Sequence, residues 1–275
     1  MESENVNRDL VLYFVIAYAF TWALWIPGAL YLNGLIGGSF MVYFILGMIA
    51  PWGPMVSAFC LTLKFEGKNR LKNNLKRWLN FKLGWWWILL IILVPILAIL
   101  AHLLNVFLFS GTFPVSDIPL WALPLIFIIG LLIQGPLGEE FGWRGYAKPR
   151  MEEKTNSFSA NLILGIIWGF WHLPMFFMVG LMPHVYMPLW LFILNCVVFS
   201  LLIAWIQNNT EQSVVPALII HTWMNVIVIF LPFWEPIPGG NYMPWLLSVI
   251  INGVLIAIVT IYYGTDFVRK KAQNS

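Results

Sequence analysis

The sequence predicts an all-α polytopic membrane protein, a bundle of about eight transmembrane helices that forms one membrane domain over residues 1–275. Composition is the first reason: 60% of the 275 residues are hydrophobic and only 10% are charged, whereas soluble domains carry about 25% charged residues. The second reason is that the apolar residues gather in long stretches. The third is that Lys and Arg fall in alternate loops between those stretches.

Eight stretches approach the roughly 20 apolar residues that a helix needs to span a bilayer. They are residues 10–32, 40–63, 85–109, 119–137 with its continuation, 159–179, 187–207, 213–231 and 243–263. Pro51, Pro54 and Pro95 fall inside stretches, where neighbouring helices tolerate a kink. We extend the fourth helix to Lys148, just before Pro149, because the aromatic residues after 140 are compatible with a membrane.

The positive charges predict the orientation of the chain. With eight spans, Arg8, the loop 64–84, the segment 144–154 and the tail 269–271 lie on one side, and together they hold all 15 Lys and Arg. The opposite loops hold only Asp117 and Glu235 as charged residues. The positive-inside rule places the Lys-rich side in the cytoplasm. We therefore expect an integral multi-pass protein with both termini cytoplasmic.

Composition also limits the partners. The net charge of +3 is small and gives no basis for nucleic-acid binding, so membrane lipid is the first expected partner. Cys60 and Cys196 lie in apolar stretches, where a thiol behaves as a small hydrophobe. Residues 152–154, Glu-Glu-Lys, are expected to be a solvated helix end, and His184 is expected in water in an outer loop.

One cluster of ionisable residues stands out at the end of an uncharged run. Glu139 and Glu140 follow the apolar residues 121–137, and Arg144 comes four residues after Glu140. On a helix, residues four apart face each other, so Arg144 can neutralise and orient Glu140. Glu139 lies about 100° round the helix from Glu140, so its carboxylate is not expected to pair with Arg144. A carboxylate in a low-dielectric pocket can act as a general base towards water.

Two later apolar stretches carry one histidine each. His172 ends one stretch, and His221 lies four residues before Asn225 in another. From the cytoplasmic ends of their helices, Glu139, His172 and His221 are roughly 13, 18 and 12 Å deep, so they share one layer. His221 and Asn225 can donate hydrogen bonds to an oxyanion. His172 can orient a water molecule or pass on its proton.

Other functions fit the same residues. Intramembrane Glu, Arg and His build proton relays in transporters, although no paired repeat with broken helices is evident. A non-catalytic membrane immunity or scaffold protein with the same fold is a further alternative. A transmembrane histidine can also serve only to bond helices together.

In these motifs the chain resembles the CPBP family, also called Abi or type II CAAX prenyl endopeptidases. That family has Glu-Glu-x-x-x-Arg, then Phe-x-x-x-His, then His-x-x-x-Asn. The matching positions are Glu139, Glu140 and Arg144, then His172, then His221 and Asn225, with Trp168 in place of the usual Phe. The resemblance covers about residues 120–230, the expected catalytic core, and we expect Trp168 to pack as Phe would.

The resemblance implies an intramembrane endopeptidase whose substrates are membrane-associated peptides or lipidated proteins, prenylated or not. It assigns Glu139 and His172 to water activation, His221 and Asn225 to the oxyanion hole, and Glu140 and Arg144 to support. We expect no cofactor and a glutamate mechanism. The alternative is a zinc site formed by Glu139, His172 and His221, since Glu and His are zinc ligands. No His-Glu-x-x-His motif is present.

Overall fold

The structure, a computed structural model, describes residues 2–268 and the side chains of residues 8–268. The predicted basic tail at 269–271 lies outside this range. The described chain is helical without any strand, so the all-α membrane bundle is confirmed. Its helices are α1 (Glu2–Leu32), α2 (Phe40–Ile49), α3 (Gly53–Phe65), α4 (Lys68–Trp78), α5 (Trp86–Phe109), α6 (Leu123–Ile133), α7 (Pro136–Glu140), α8 (Lys148–Glu152), α9 (Ser157–Trp171), α10 (Leu189–Asn208), α11 (Val215–Phe230) and α12 (Met243–Tyr263).

The number of spans is lower than predicted when helices are judged by length and composition. Six helical segments in the described chain are long and apolar enough to cross a membrane, and a bent pair makes a seventh. The remaining predicted span is α11, which has only 16 residues. At about 1.5 Å per residue it is roughly 24 Å long, less than the roughly 30 Å hydrocarbon core.

The contacts of α11 and its neighbours nevertheless place its two ends at opposite ends of the bundle. The backbone N–H of Val214, just before α11, donates to the carbonyl of Trp78 at the end of α4. After α11, Trp234 packs against Trp245 at the start of α12, and Trp245 packs against Phe192 at the start of α10. Since α10 ends just before α11 begins, the α11 segment runs the length of α10 in the opposite direction.

The predicted clustering of basic loops at one end of the bundle agrees with these contacts. Arg150, after the fourth span, pairs with Glu66 in the loop before α4. The segment after α12 reaches the same end, because the carbonyl of Asp266 accepts from Asn208 at the end of α10. These loops therefore share one face of the protein. That this face is cytoplasmic stays a prediction.

The fourth span is broken rather than continuous. Helix α6 ends at Ile133, Gly135 has a positive φ of 106°, and the chain restarts at Pro136 with a 43° bend. Residues Phe141–Ala147 then form a π-helix that leads into α8. The predicted end near Pro149 was wrong, because a proline is tolerated in the first turn of a helix and Pro149 occupies such a position in α8. π-Helical turns are frequent at functional sites.

Glycines bring the restarted helix against the backbone of the N-terminal helices. A Cβ at Gly138 would lie 2.7 Å from the carbonyl oxygen of Pro51, and one at Gly142 would lie 2.5 Å from that of Pro54. The break between α2 and α3, at Ala50–Trp52, is thus the surface on which α7 packs. Small residues four apart allow helices in a membrane to approach this closely.

A second pair of glycines brings α9 against the backbone of α10. A Cβ at Gly165 would lie 2.6 Å from Cα of Val197, and one at Gly169 would lie 3.1 Å from Cα of Ile193. Helices α9 and α10 are therefore in close contact over two turns. Trp168 lies between Gly165 and Gly169 in sequence, as Glu139 lies between Gly138 and Gly142. The helical segments that carry these two residues are therefore both fixed by close contact with a neighbouring backbone.

Candidate active site

Four of the six predicted residues line one large cavity inside the bundle. Its volume is about 590 Å³, and its walls are mostly aromatic, aliphatic and methionine side chains. Its polar lining includes Glu139, Trp168, His172, His221 and Asn225. Glu140 and Arg144 do not line the cavity and are fully buried behind it. The structure thus brings the six predicted residues to one place and divides them into a cavity wall and a layer behind it.

Glu139 lies in the first turn of α7, directly after the break. Its carboxylate is buried and its Oε2 accepts a hydrogen bond of 2.7 Å from the indole N–H of Trp168. Its Oε1 lies against Gly135, where a Cβ would collide with it. Gly135 is thus needed for this carboxylate position as well as for the bend. The partial positive charge of a helix N-terminus favours a carboxylate there.

Glu140 is held by two cationic or potentially cationic groups. Its Oε1 accepts from Nη1 of Arg144 at 3.1 Å and from Nδ1 of His221 at 2.7 Å. The predicted pairing with Arg144 is therefore present, and it has a second partner from α11 that spacing along one helix did not reveal. The guanidinium also lies over the ring of Trp168 at 4.4 Å, a cation–π contact. Glu140 thus links the fourth span to α11.

Both histidines have Nδ1 occupied by an acceptor. His172 Nδ1 lies 2.8 Å from the backbone carbonyl oxygen of Trp168. Because a carbonyl and a carboxylate only accept hydrogen bonds, Nδ1 carries the proton in His172 and also in His221. In the neutral imidazole each Nε2 is then an acceptor, and both rings line the cavity. His172 is therefore arranged to accept a proton or a hydrogen bond from water.

The expected oxyanion pair needs a correction. His221 donates its Nδ1–H to Glu140, so it can donate from Nε2 only as an imidazolium. Asn225 is partly exposed to the cavity, and its amide donates to the carbonyl of Gln134 at 3.0 Å. That bond uses one of two N–H groups. Asn225 retains a donor for a ligand, while His221 has that capacity only when charged.

The structure adds a role for Trp168 and corrects the environment expected for His184. Trp168 does more than fill the space of a phenylalanine, because its N–H binds Glu139. His184 lies in the loop between α9 and α10 as predicted, but it is partly buried rather than solvated: it lines the cavity and packs between Phe176 and Phe192. Burial lowers the pKa of His184 to about 4, so it is neutral at pH 7.

Of the predicted solvated helix end at 152–154, Glu153 and Lys154 are exposed, whereas Glu152 is partly buried in a polar network with Lys148. Nζ of Lys148 is fully buried and donates to Glu152, Asn208 and Gln212 at 2.9, 2.6 and 3.0 Å. Glu152 also accepts from Asn161. All three protons of the ammonium group have acceptors, so this charge is compatible with burial. The network ties the end of the π-helical segment to α9 and α10.

The alternative zinc site does not fit the geometry. Among the side chains of residues 8–268, no group of three His, Cys, Asp or Glu residues is arranged to hold a metal ion. We therefore derive no reaction step through a metal. Metal dependence stays open to direct measurement.

Comparisons with known proteins agree with the motifs. Residues 119–227 match the family model of the type II CAAX prenyl endopeptidases, Rce1-like. In this region the chain is similar to the CPBP family. It is 27% identical over 231 residues to CAAX prenyl protease 2 of Methanococcus maripaludis, covering 78% of this chain and 82% of that protein. It is 26% identical over 187 residues to lysostaphin resistance protein A of Staphylococcus haemolyticus, covering 66% of this chain and 48% of that protein. The apolar helices are those of an integral membrane protein, and the region that carries the motifs is similar to CAAX prenyl proteases.

Proposed function

We propose that this chain is an intramembrane endopeptidase that hydrolyses membrane-associated peptides by glutamate-activated water. The observation that carries the proposal is the unequal environment of two adjacent carboxylates. Glu140 is bound by Arg144 and His221 behind the cavity. Glu139 lines the cavity, and among the described side chains its one hydrogen-bond donor is a neutral N–H. Glu139 is therefore the carboxylate that can take a proton from water.

The remaining groups fit a hydrolytic sequence. Glu139 removes one proton from water while the remaining O–H donates a hydrogen bond to Nε2 of His172, and the hydroxide attacks the scissile carbonyl carbon. The oxyanion that forms is stabilised by the amide of Asn225 and by His221 in its charged form. Glu139 then returns the proton to the leaving nitrogen, the C–N bond breaks, and one water has been added to give a carboxylic acid and an amine.

The proposed substrate class rests on the cavity and the relatives. A volume of about 590 Å³ with largely apolar walls suits a peptide with a lipid-like or apolar side chain. The archaeal relative is a CAAX prenyl protease by name. We therefore propose a lipidated peptide as the preferred substrate, and the family favours this reading over a proton-coupled transporter.

Hydrolysis of two matched peptides tests the proposal. Purified protein in liposomes is given a farnesylated peptide with a C-terminal Cys-aliphatic-aliphatic-X sequence, and the same peptide without the lipid. We expect cleavage of the lipidated peptide, identified by product mass, and its loss in Glu139→Gln. The unfolding midpoint of that variant should stay near wild type, because glutamine keeps the shape of the side chain. Equal activity in Glu139→Gln would sink the assignment of the base.

A second candidate function has one supporting observation. The staphylococcal relative is a lysostaphin resistance protein by name, although the aligned residues cover only about half of its length. A non-catalytic resistance or immunity role in a cell would survive Glu139→Gln. Lysostaphin survival of staphylococci that express wild type or Glu139→Gln separates the two functions: protection that needs Glu139 supports the enzyme, and protection without it supports the second role.

A further inference from the structure

One residue outside the expected catalytic set contacts four of its members. Trp168 donates its N–H to Glu139 at 2.7 Å and accepts from His172 on its backbone carbonyl at 2.8 Å. Its ring lies under the guanidinium of Arg144 at 4.4 Å and meets His221 edge-on at 5.1 Å. Only 1% of Trp168 is exposed. It therefore lies between the groups that must act together.

These four contacts do not all need an indole. The carbonyl belongs to the backbone, and any aromatic ring can accept the cation or meet the imidazole edge-on. A phenylalanine, the usual residue of the motif that this chain resembles, would keep all three. The hydrogen bond to Glu139 is the only contact of the four that requires tryptophan, because the indole Nε1–H is a donor that a benzene ring lacks.

The bond matters because Glu139 has few other restraints. Among the described residues, no second side chain donates to its carboxylate. Its backbone N–H is used within the helix, bonding to the carbonyl of Gly135. Without the indole the carboxylate would be free to rotate about its terminal bond, since such sp² torsions have broad minima. The hydrogen bond removes this freedom by fixing Oε2.

We propose that Trp168 is a positioning residue, whose indole N–H fixes Oε2 of Glu139 so that Oε1 is presented to the reacting water. This inference rests on the proposed peptidase function. Trp168 touches neither water nor substrate through its N–H, so its effect is on the geometry of the base. Displacement of a reacting group by about 1 Å can cost roughly 100-fold in rate, and loss of this restraint is expected to lower kcat by about 10–100-fold.

The test compares two Trp→Phe variants on the same helix. Trp168→Phe removes the hydrogen bond, and Trp171→Phe makes the same volume change at a position that is fully buried and whose Nε1 has no acceptor among the described side chains and backbone. Trp171 also meets the His172 ring at 4.8 Å, which makes it a demanding control. We expect kcat on the farnesylated peptide to fall 10–100-fold in Trp168→Phe and less than about threefold in Trp171→Phe. KM should change less than twofold in both.

A second variant separates the lost donor from the lost volume. Benzothienylalanine at position 168, introduced by nonsense suppression, keeps the bicyclic ring and replaces N–H by sulfur. It should show the same loss of kcat with an unfolding midpoint close to wild type. An unchanged kcat in this variant, or a raised KM with unchanged kcat, would overturn the positioning role. A wild type that hydrolyses no peptide would instead overturn the proposed function, and the positioning role with it.

Discussion

Removing Glu140 should be the most destabilising single change in the site, because it leaves a buried guanidinium without a counter-ion. Arg144 and Glu140 are both fully buried, with a 3.1 Å contact between them. Nε and Nη2 of Arg144 already lack hydrogen-bond acceptors among the described residues. In Glu140→Ala, the guanidinium keeps its contact with the Trp168 ring but loses its hydrogen-bonded carboxylate.

The magnitude follows from this burial. Breaking a buried ion pair by removing one partner costs about 3–5 kcal/mol. For a chain of this size, each kcal/mol corresponds to roughly 2–4 °C, so the unfolding midpoint should fall on the order of 10 °C. The loss of the His221 contact at 2.7 Å adds to this cost. Thermal unfolding of purified protein in detergent measures the change.

A matched exposed pair supplies the control. Glu66 and Arg70 are also a Glu–Arg pair four residues apart, at 3.2 Å, with 58% of the Arg70 side chain exposed. An exposed pair contributes about 0–1 kcal/mol, so Arg70→Ala should move the midpoint by only a few degrees. Equal shifts in Glu140→Ala and Arg70→Ala would refute the reasoning. So would a variant Glu140→Ala/Arg144→Ala that is no more stable than Glu140→Ala, because removing the stranded charge should restore part of the loss.

Three further predictions test the packing, the metal question and the orientation. Gly142→Ala should destabilise the protein by about 1–3 kcal/mol through overpacking, because a Cβ there would lie 2.5 Å from the Pro54 carbonyl oxygen; Gly47→Ala, where nothing lies within 4 Å of an added Cβ, is the control, and equal midpoints would contradict the close contact. Elemental analysis of purified wild type and His172→Ala should find no stoichiometric zinc, and strong chelators should leave hydrolysis unchanged; one zinc per wild-type chain, lost in His172→Ala, would identify a metalloprotease. In a background without Cys60 and Cys196, Asn69→Cys should react with an impermeant thiol reagent only in broken cells and Asp117→Cys also in intact cells; the reverse pattern would invert the proposed topology.

Hydropathy predicted the helices well because the bilayer limits what a chain can do. An apolar stretch in lipid must satisfy its backbone internally, so it becomes a helix of span length. The break of the fourth span was missed although Gly135-Pro136 is a turn signal. The apolar residues on both sides obscured that signal. The length of α11 was also overestimated, because hydropathy does not show at which residue a helix ends within an apolar stretch.

Spacing predicted contacts within a helix but not between helices. The pair of Glu140 and Arg144 follows from a separation of four residues. The bonds from His221 to Glu140 and from Trp168 to Glu139 join different helices. These bonds form only if each helix has the right rotation about its axis and lies close enough to its neighbour. Residue spacing along one helix determines neither. This is why the oxyanion assignment of His221 needed revision.

The rotation of these helices has a local cause in the two glycine pairs. Gly138 directly precedes Glu139, and Gly169 directly follows Trp168. Each glycine is pressed against the backbone of a neighbouring element, at Pro51 and at Ile193, so neither helix can turn without a steric clash. The two ends of the 2.7 Å hydrogen bond are therefore each one residue away from a fixed point of packing. Close helix packing and the orientation of the proposed base thus have the same structural origin.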